Sequence, residues 1–113
     1  MGPGPALQTL CTSAVTVSNG LSTIEILVKP MPEQQVALNE LKAVAKLNAD
    51  AMTAVCAGPY PATLPERVAA SEKRLDAALA GIRRLKPAAE KFYATLNDEQ
   101  KAEASSLLVL PGV

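Results

Sequence analysis

Between Pro32 and Cys56 the residues Leu38, Leu41, Ala45, Asn48, Met52 and Val55 follow one another at alternating spacings of three and four, and all but Asn48 are apolar. That rhythm is one face of a helix. Pro32 suits the first helical turn, where its missing N–H costs nothing. The run Ala57-Gly58-Pro59-Tyr60-Pro61 closes the element, with glycine at the cap and prolines that cannot continue it. A second, longer pattern follows Thr63, Leu64 and Pro65. Val68, Leu75, Ile82, Ala89 and Leu96 stand seven apart, with Ser71, Ala78, Leu85 and Phe92 between them. Heptads over that length predict a long helix packed lengthwise on another. Pro87 lies inside it and should kink it, since its ring nitrogen cannot bond the carbonyl of residue 83. Asn97 with Gln100 reads as a capping box opening a last short helix, which Leu107, Leu108 and Leu110 end before Pro111-Gly112.

The first thirty residues are less regular. Pro5–Thr12 predicts a short helix, Ser18-Asn19-Gly20 a turn, and Ser22 with Glu25 a capping box for a second short helix. The β-branched residues around Ile24 also suit a strand, but no partner strand is visible and a lone strand is not stable. The fold class expected is therefore all-α: a single domain over 1–113, built as a long antiparallel helical hairpin with shorter helices at both ends. Residues 1–6 read as a disordered or artificial start.

Composition sharpens this picture in two ways. Nearly half of the 113 residues are apolar (49%), yet there is one Phe, two Tyr and no Trp. A core rich in alanine is thin, because large side chains supply most buried area. Eleven basic and eleven acidic side chains cancel, which removes any overall field for nucleic acid or anionic lipid. No apolar run approaches the roughly 18 residues that span a bilayer, so no membrane insertion is expected. Met1–Pro5 lacks the basic and apolar regions of a secretory leader. A mature exported domain without its leader is favoured over a cytosolic protein.

With no histidine in the chain, the commonest general base and transition-metal ligand are both missing, and no catalytic residue, metal site or cofactor is assigned. Glu72 with Asp76 and Glu99 with Glu103 are i, i+4 carboxylate pairs. They suit a hard cation but better suit a solvated face mixed with Lys73, Arg74 and Lys101. Arg83, Arg84, Lys86 and Lys91 form a basic stretch opposed by Glu90, either a surface for acidic partner segments or an ordinary solvated flank. Cys11 and Cys56 are the two thiols. Their even number and wide separation favour a bridge over two reduced, buried cysteines.

The segment Leu96-Asn97-Asp98-Glu99-Gln100, followed by Lys101-Ala102, resembles the second repeat of the LTxxQ family, the Spy/CpxP-like periplasmic proteins. The preceding Arg67–Leu96 resembles alphaproteobacterial members, and Lys29–Ala45 resembles their first repeat, with Met31 in the place of threonine and Gln34 in the place of glutamine. Cys11 and Cys56 resemble paired cysteines of those relatives. The likeness covers about residues 7–106. It implies an exported helical hairpin with a concave surface, dimeric in the best-known members; the missing histidine and catalytic motifs separately predict no enzyme. Met31 cannot cap with its side chain, and Pro32 is expected to compensate.

The leading expectation is an ATP-independent holdase of the periplasm with an envelope-stress role, binding unfolded or partly folded proteins. Leu38, Val44, Leu47, Arg83, Arg84 and Lys91 are the candidate client contacts. The alternatives are a regulatory module that binds one folded partner such as a sensor domain, and a divalent-cation sensor using Glu72, Asp76, Glu99 and Glu103. A homodimer is compatible with each.

Overall fold

Val17, Leu21, Ile24 and Val28, at spacings of four, three and four, form a buried stripe along the first helix. That stripe is continuous because the helix is continuous. In the computed structural model, which describes residues 5–108 and the side chains of residues 10–108, α1 spans Pro5–Val28, α2 Pro32–Cys56, α3 Leu64–Ala94 and α4 Asp98–Leu107. Among the described residues there is no strand, so the all-α class holds. Residues 1–4, Leu110 and Pro111-Gly112 lie outside the described residues.

The turn expected at Ser18-Asn19-Gly20 and the capping box at Ser22 do not form. Ser22 and Thr23 donate to the carbonyls of Ser18 and Asn19, at 3.4 and 3.2 Å, and Ser13 and Thr16 bond back in the same manner. Their hydroxyls are thus satisfied within the helix and need no turn. Gly20 marks a close approach. A Cβ there would lie 3.2 Å from Leu108 Cδ1 and 3.6 Å from the Leu107 carbonyl oxygen, so α4 packs where glycine leaves room. Two consequences correct the sequence reading. The N-terminal element is a full-length member of the bundle, and its portion Leu10–Val28 is long and apolar enough, by length and composition, to cross a membrane. Here that stretch packs its apolar stripe into the core.

Lys29 adopts a left-handed backbone (φ 53°), and with Pro30 it reverses the chain into α2. Glu25 holds this first hairpin: its carboxylate accepts from Gln35 Nε2 at 2.7 Å and pairs with Lys42 Nζ at 3.2 Å. Those contacts, the Gln35 amide first and Lys42 second, hold the Glu25 carboxyl below its ordinary value. A depressed carboxyl stabilises the fold above its unfolded value and loses that contribution as pH falls through the folded value. The melting difference between the wild type and Glu25→Gln is therefore expected to shrink towards zero below pH about 4, as followed by circular dichroism.

α3 returns antiparallel to α2 and runs unbroken through Pro87, which is exposed. Its inward residues are Arg74, Gly81, Leu85 and Phe92. Val68 and Leu75, which the heptad reading placed in a seam, are 62% and 58% exposed. The later members of the same pattern do pack inward: Leu85, Phe92 and Leu96 are buried and Ile82 and Ala89 half-buried, because a seven-residue row drifts about 20° per heptad around a straight helix. The whole measures 51 × 20 × 17 Å, with a radius of gyration of 15.8 Å against about 13 Å for a compact domain of this length. It is a rod.

Candidate functional site

The two poles of the rod are fixed by different chemistry. At one, Cys11 near the start of α1 and Cys56 at the end of α2 form a disulfide, with Cα atoms 6.1 Å apart. At the other, the first turns of α2 and α4 meet. Each starts from an extended cap residue, Met31 and Asn97, with a glutamine at the third helical position. Gln100 Oε1 accepts from the Asn97 N–H at 3.0 Å, while Asn97 Oδ1 accepts from the Gln100 N–H at 2.8 Å. Met31 supplies no side-chain cap, as its thioether predicts. The reciprocal half of the box still forms, because Gln34 Oε1 accepts from the Met31 N–H at 2.9 Å.

The two glutamines also bind each other. Gln34 Nε2 donates to Gln100 Oε1 at 2.9 Å, and Gln100 Nε2 donates to Gln34 Oε1 at 3.2 Å. Gln34 Nε2 further reaches the Thr95 carbonyl at 2.8 Å. Two helix starts 66 residues apart in sequence are thus clasped by paired side-chain amides. Gln34 is buried, where each bond spares a polar group from costly desolvation. Sequence reasoning assigned each glutamine to its own helix start and missed the pairing. The available signal was that both occupy the same capping position in matching segments.

Midway along the rod, Asn48, the polar exception on the α2 seam, donates Nδ2 to the Gly81 carbonyl at 2.8 Å and accepts from Arg84 Nε at 3.1 Å. A Cβ on Gly81 would sit 3.1 Å from Asn48 Cγ, so glycine admits the side chain. Asn48→Ala removes both bonds and is expected to cost about 1–2 kcal/mol, measured by urea unfolding.

The candidate client contacts separate by environment. Leu38 is fully buried (0% exposed) and is corrected from surface contact to core residue, because α2 turns it inward with Leu41 and Ala45. Val44 is half-buried against the core. Lys91 pairs with Glu40 at 2.8 Å, and Arg84 is held by Asn48. Leu47 and Arg83 are exposed. The carboxylates Glu72, Asp76, Glu99 and Glu103 are all exposed, and among the described residues no three Asp, Glu or Cys side chains gather where a metal could be held.

Two apolar surfaces escaped the sequence reading. Leu64, Val68, Leu75 and Leu79 on α3 are 49–74% exposed. At about 100° per residue they lie within about 60° of one another, which makes a single stripe. Beyond it, a cleft of about 310 Å³ opens between the helices, walled by Leu21, Ile24, Phe92, Leu96, Ala104 and Leu108.

In comparison with known protein families, the model of the LTXXQ motif family aligns with residues 18–108. That span takes in α2, α3 and α4 entire, with the second half of α1. No curated protein and no solved structure matches.

Proposed function

The chain belongs to the LTXXQ motif family, and on that footing we propose that it is an exported, non-enzymatic Spy/CpxP-like protein that holds unfolded polypeptides without ATP. The observation that carries this reading is the α3 stripe of Leu64, Val68, Leu75 and Leu79. Isolated exposed leucines are ordinary, but a row along one helix face is the mark of an interaction surface. Charges flank it, with Glu72 and Asp76 on one side and Arg67 on the other. Apolar contact beside mixed charge suits weak, promiscuous capture of chain segments. The Cys11–Cys56 bridge suits an oxidising compartment, here the periplasm.

The test is light scattering of a reduced or heat-unfolded client at near-stoichiometric ratio. The wild type should suppress aggregation, and Leu75→Glu with Leu79→Glu should lose most of that effect while melting normally, because both positions are exposed. Several unrelated clients left unprotected by the wild type would reject the proposal.

A further inference from the structure

Arg74 is buried in α3, 7% exposed, and its Nε has no hydrogen-bond partner. None of the ion pairs among the described residues includes it; those pairs are Lys42–Glu25, Lys46–Asp50 and Lys91–Glu40. A buried N–H left without an acceptor is costly, and among the described residues no carboxylate pairs with this side chain. It lines a small cleft with Tyr60, Pro61, Arg67, Ala70 and Ser71. Arg67 lies at the same cleft, its guanidinium stacked 4.8 Å over the Tyr60 ring and its Nε donating to the Pro61 carbonyl at 3.0 Å. Arg67, Ser71 and Arg74 follow at spacings of four and three, one face of the helix.

We infer that this cleft is a binding site for a small oxyanion of the phosphate type. The side chains that line it bring two guanidiniums, the hydroxyls of Tyr60 and Ser71 and no carboxylate, and planar guanidinium forks match the edges of phosphate. The cleft holds about 50 Å³. One water needs about 10–15 Å³ by the same measure, so the space admits a group of a few oxygen-sized atoms and no more. Stacking on Tyr60 and the bond to Pro61 fix the Arg67 side chain in advance. The anion would neutralise Arg74 and tie the α2–α3 loop to α3.

Thermal melts of the intact, oxidised protein test the site, with inorganic phosphate titrated against chloride at constant ionic strength. Phosphate at ten times its Kd should raise Tm by about 5 °C, saturably, and calorimetry should give one site per chain. Arg74→Met should abolish the rise while melting no lower than the wild type in phosphate-free buffer, as expected when a buried unpaired charge becomes apolar. Arg67→Gln, which also gives up the Tyr60 stacking and the Pro61 bond, should weaken binding at least tenfold while lowering the phosphate-free melt by no more than about 3 °C. Flotation with phosphatidylglycerol against phosphatidylcholine vesicles separates a headgroup from free phosphate as the source: binding only to the anionic vesicles, lost in Arg74→Met, assigns the headgroup. An equal phosphate response in wild type and Arg74→Met, or no response to either phosphate or anionic vesicles, would overturn the site.

Discussion

Replacing both cysteines, Cys11→Ser with Cys56→Ser, is expected to lower stability by about 4 kcal/mol, a drop in Tm of about 15 °C for a domain of this size. The bridge closes a loop of sequence separation 45, so the unfolded chain loses much of its freedom when oxidised. The core it supports is light. Its fully buried large side chains are Leu21, Ile24 and Leu38, and Phe92 is its one buried aromatic among the described residues. The loss should be sharpest in α1, whose N-terminal half is tied to α2 by the bridge. Differential scanning calorimetry with and without reductant measures it, and an unchanged Tm on full reduction would remove the bridge from any account of stability.

Gln34→Ala should rank next, at about 3 kcal/mol. It strips partners from the Met31 N–H, the Thr95 carbonyl and the Gln100 amide together. The informative experiment is the cycle with Gln100→Ala. If the two side chains act as one clasp, the double variant should cost about 1–2 kcal/mol less than the sum of the singles. Strict additivity would mean that each glutamine serves its own helix start and the contact between them is incidental. Substitution of Met31 by threonine offers a complementary reading. It adds the side-chain cap that the thioether lacks, and about 1 kcal/mol of added stability is the expected gain.

Much of this architecture can be read from residue order. Pro32 and Asn97 open helices where the rules for first turns and caps place them, Gly58 lies just past the end of α2 with φ 101°, and Asn48 stands on the seam. The misreadings have separate causes. Local preference favours a turn at Ser18-Asn19-Gly20, but that preference is small, and hydroxyl back-bonding together with the seating of α4 against Gly20 outweighs it. On α3 the heptad holds from Ile82 onward, where Leu85, Phe92 and Leu96 are buried, and fails before it, where Val68 and Leu75 face water. A seven-residue row drifts about 20° per heptad around a straight helix, so the row that faces water at Val68 has turned inward by Leu96. Leu38 carries two readings that exclude each other, first member of the α2 apolar face and client contact, and its full burial keeps the first. The clasp and the Arg74 cleft were beyond the sequence for a plainer reason. Each depends on side chains that only the folded rod brings into register.

The opposed anchorage of α2 limits how the molecule can deform. A slip of one helical turn along its axis, about 5.4 Å, would have to rupture a covalent link at one extremity and pull apart a pair of interlocked carboxamides at the other. Lengthwise sliding is thereby shut off. What remains is sideways loosening, and α4, ten residues long with Ala104 as its buried residue, is the segment with the least to hold it. Peeling it from Gly20 would bare Leu21 and Ile24 beneath, so the same short helix that completes the bundle also roofs part of its core.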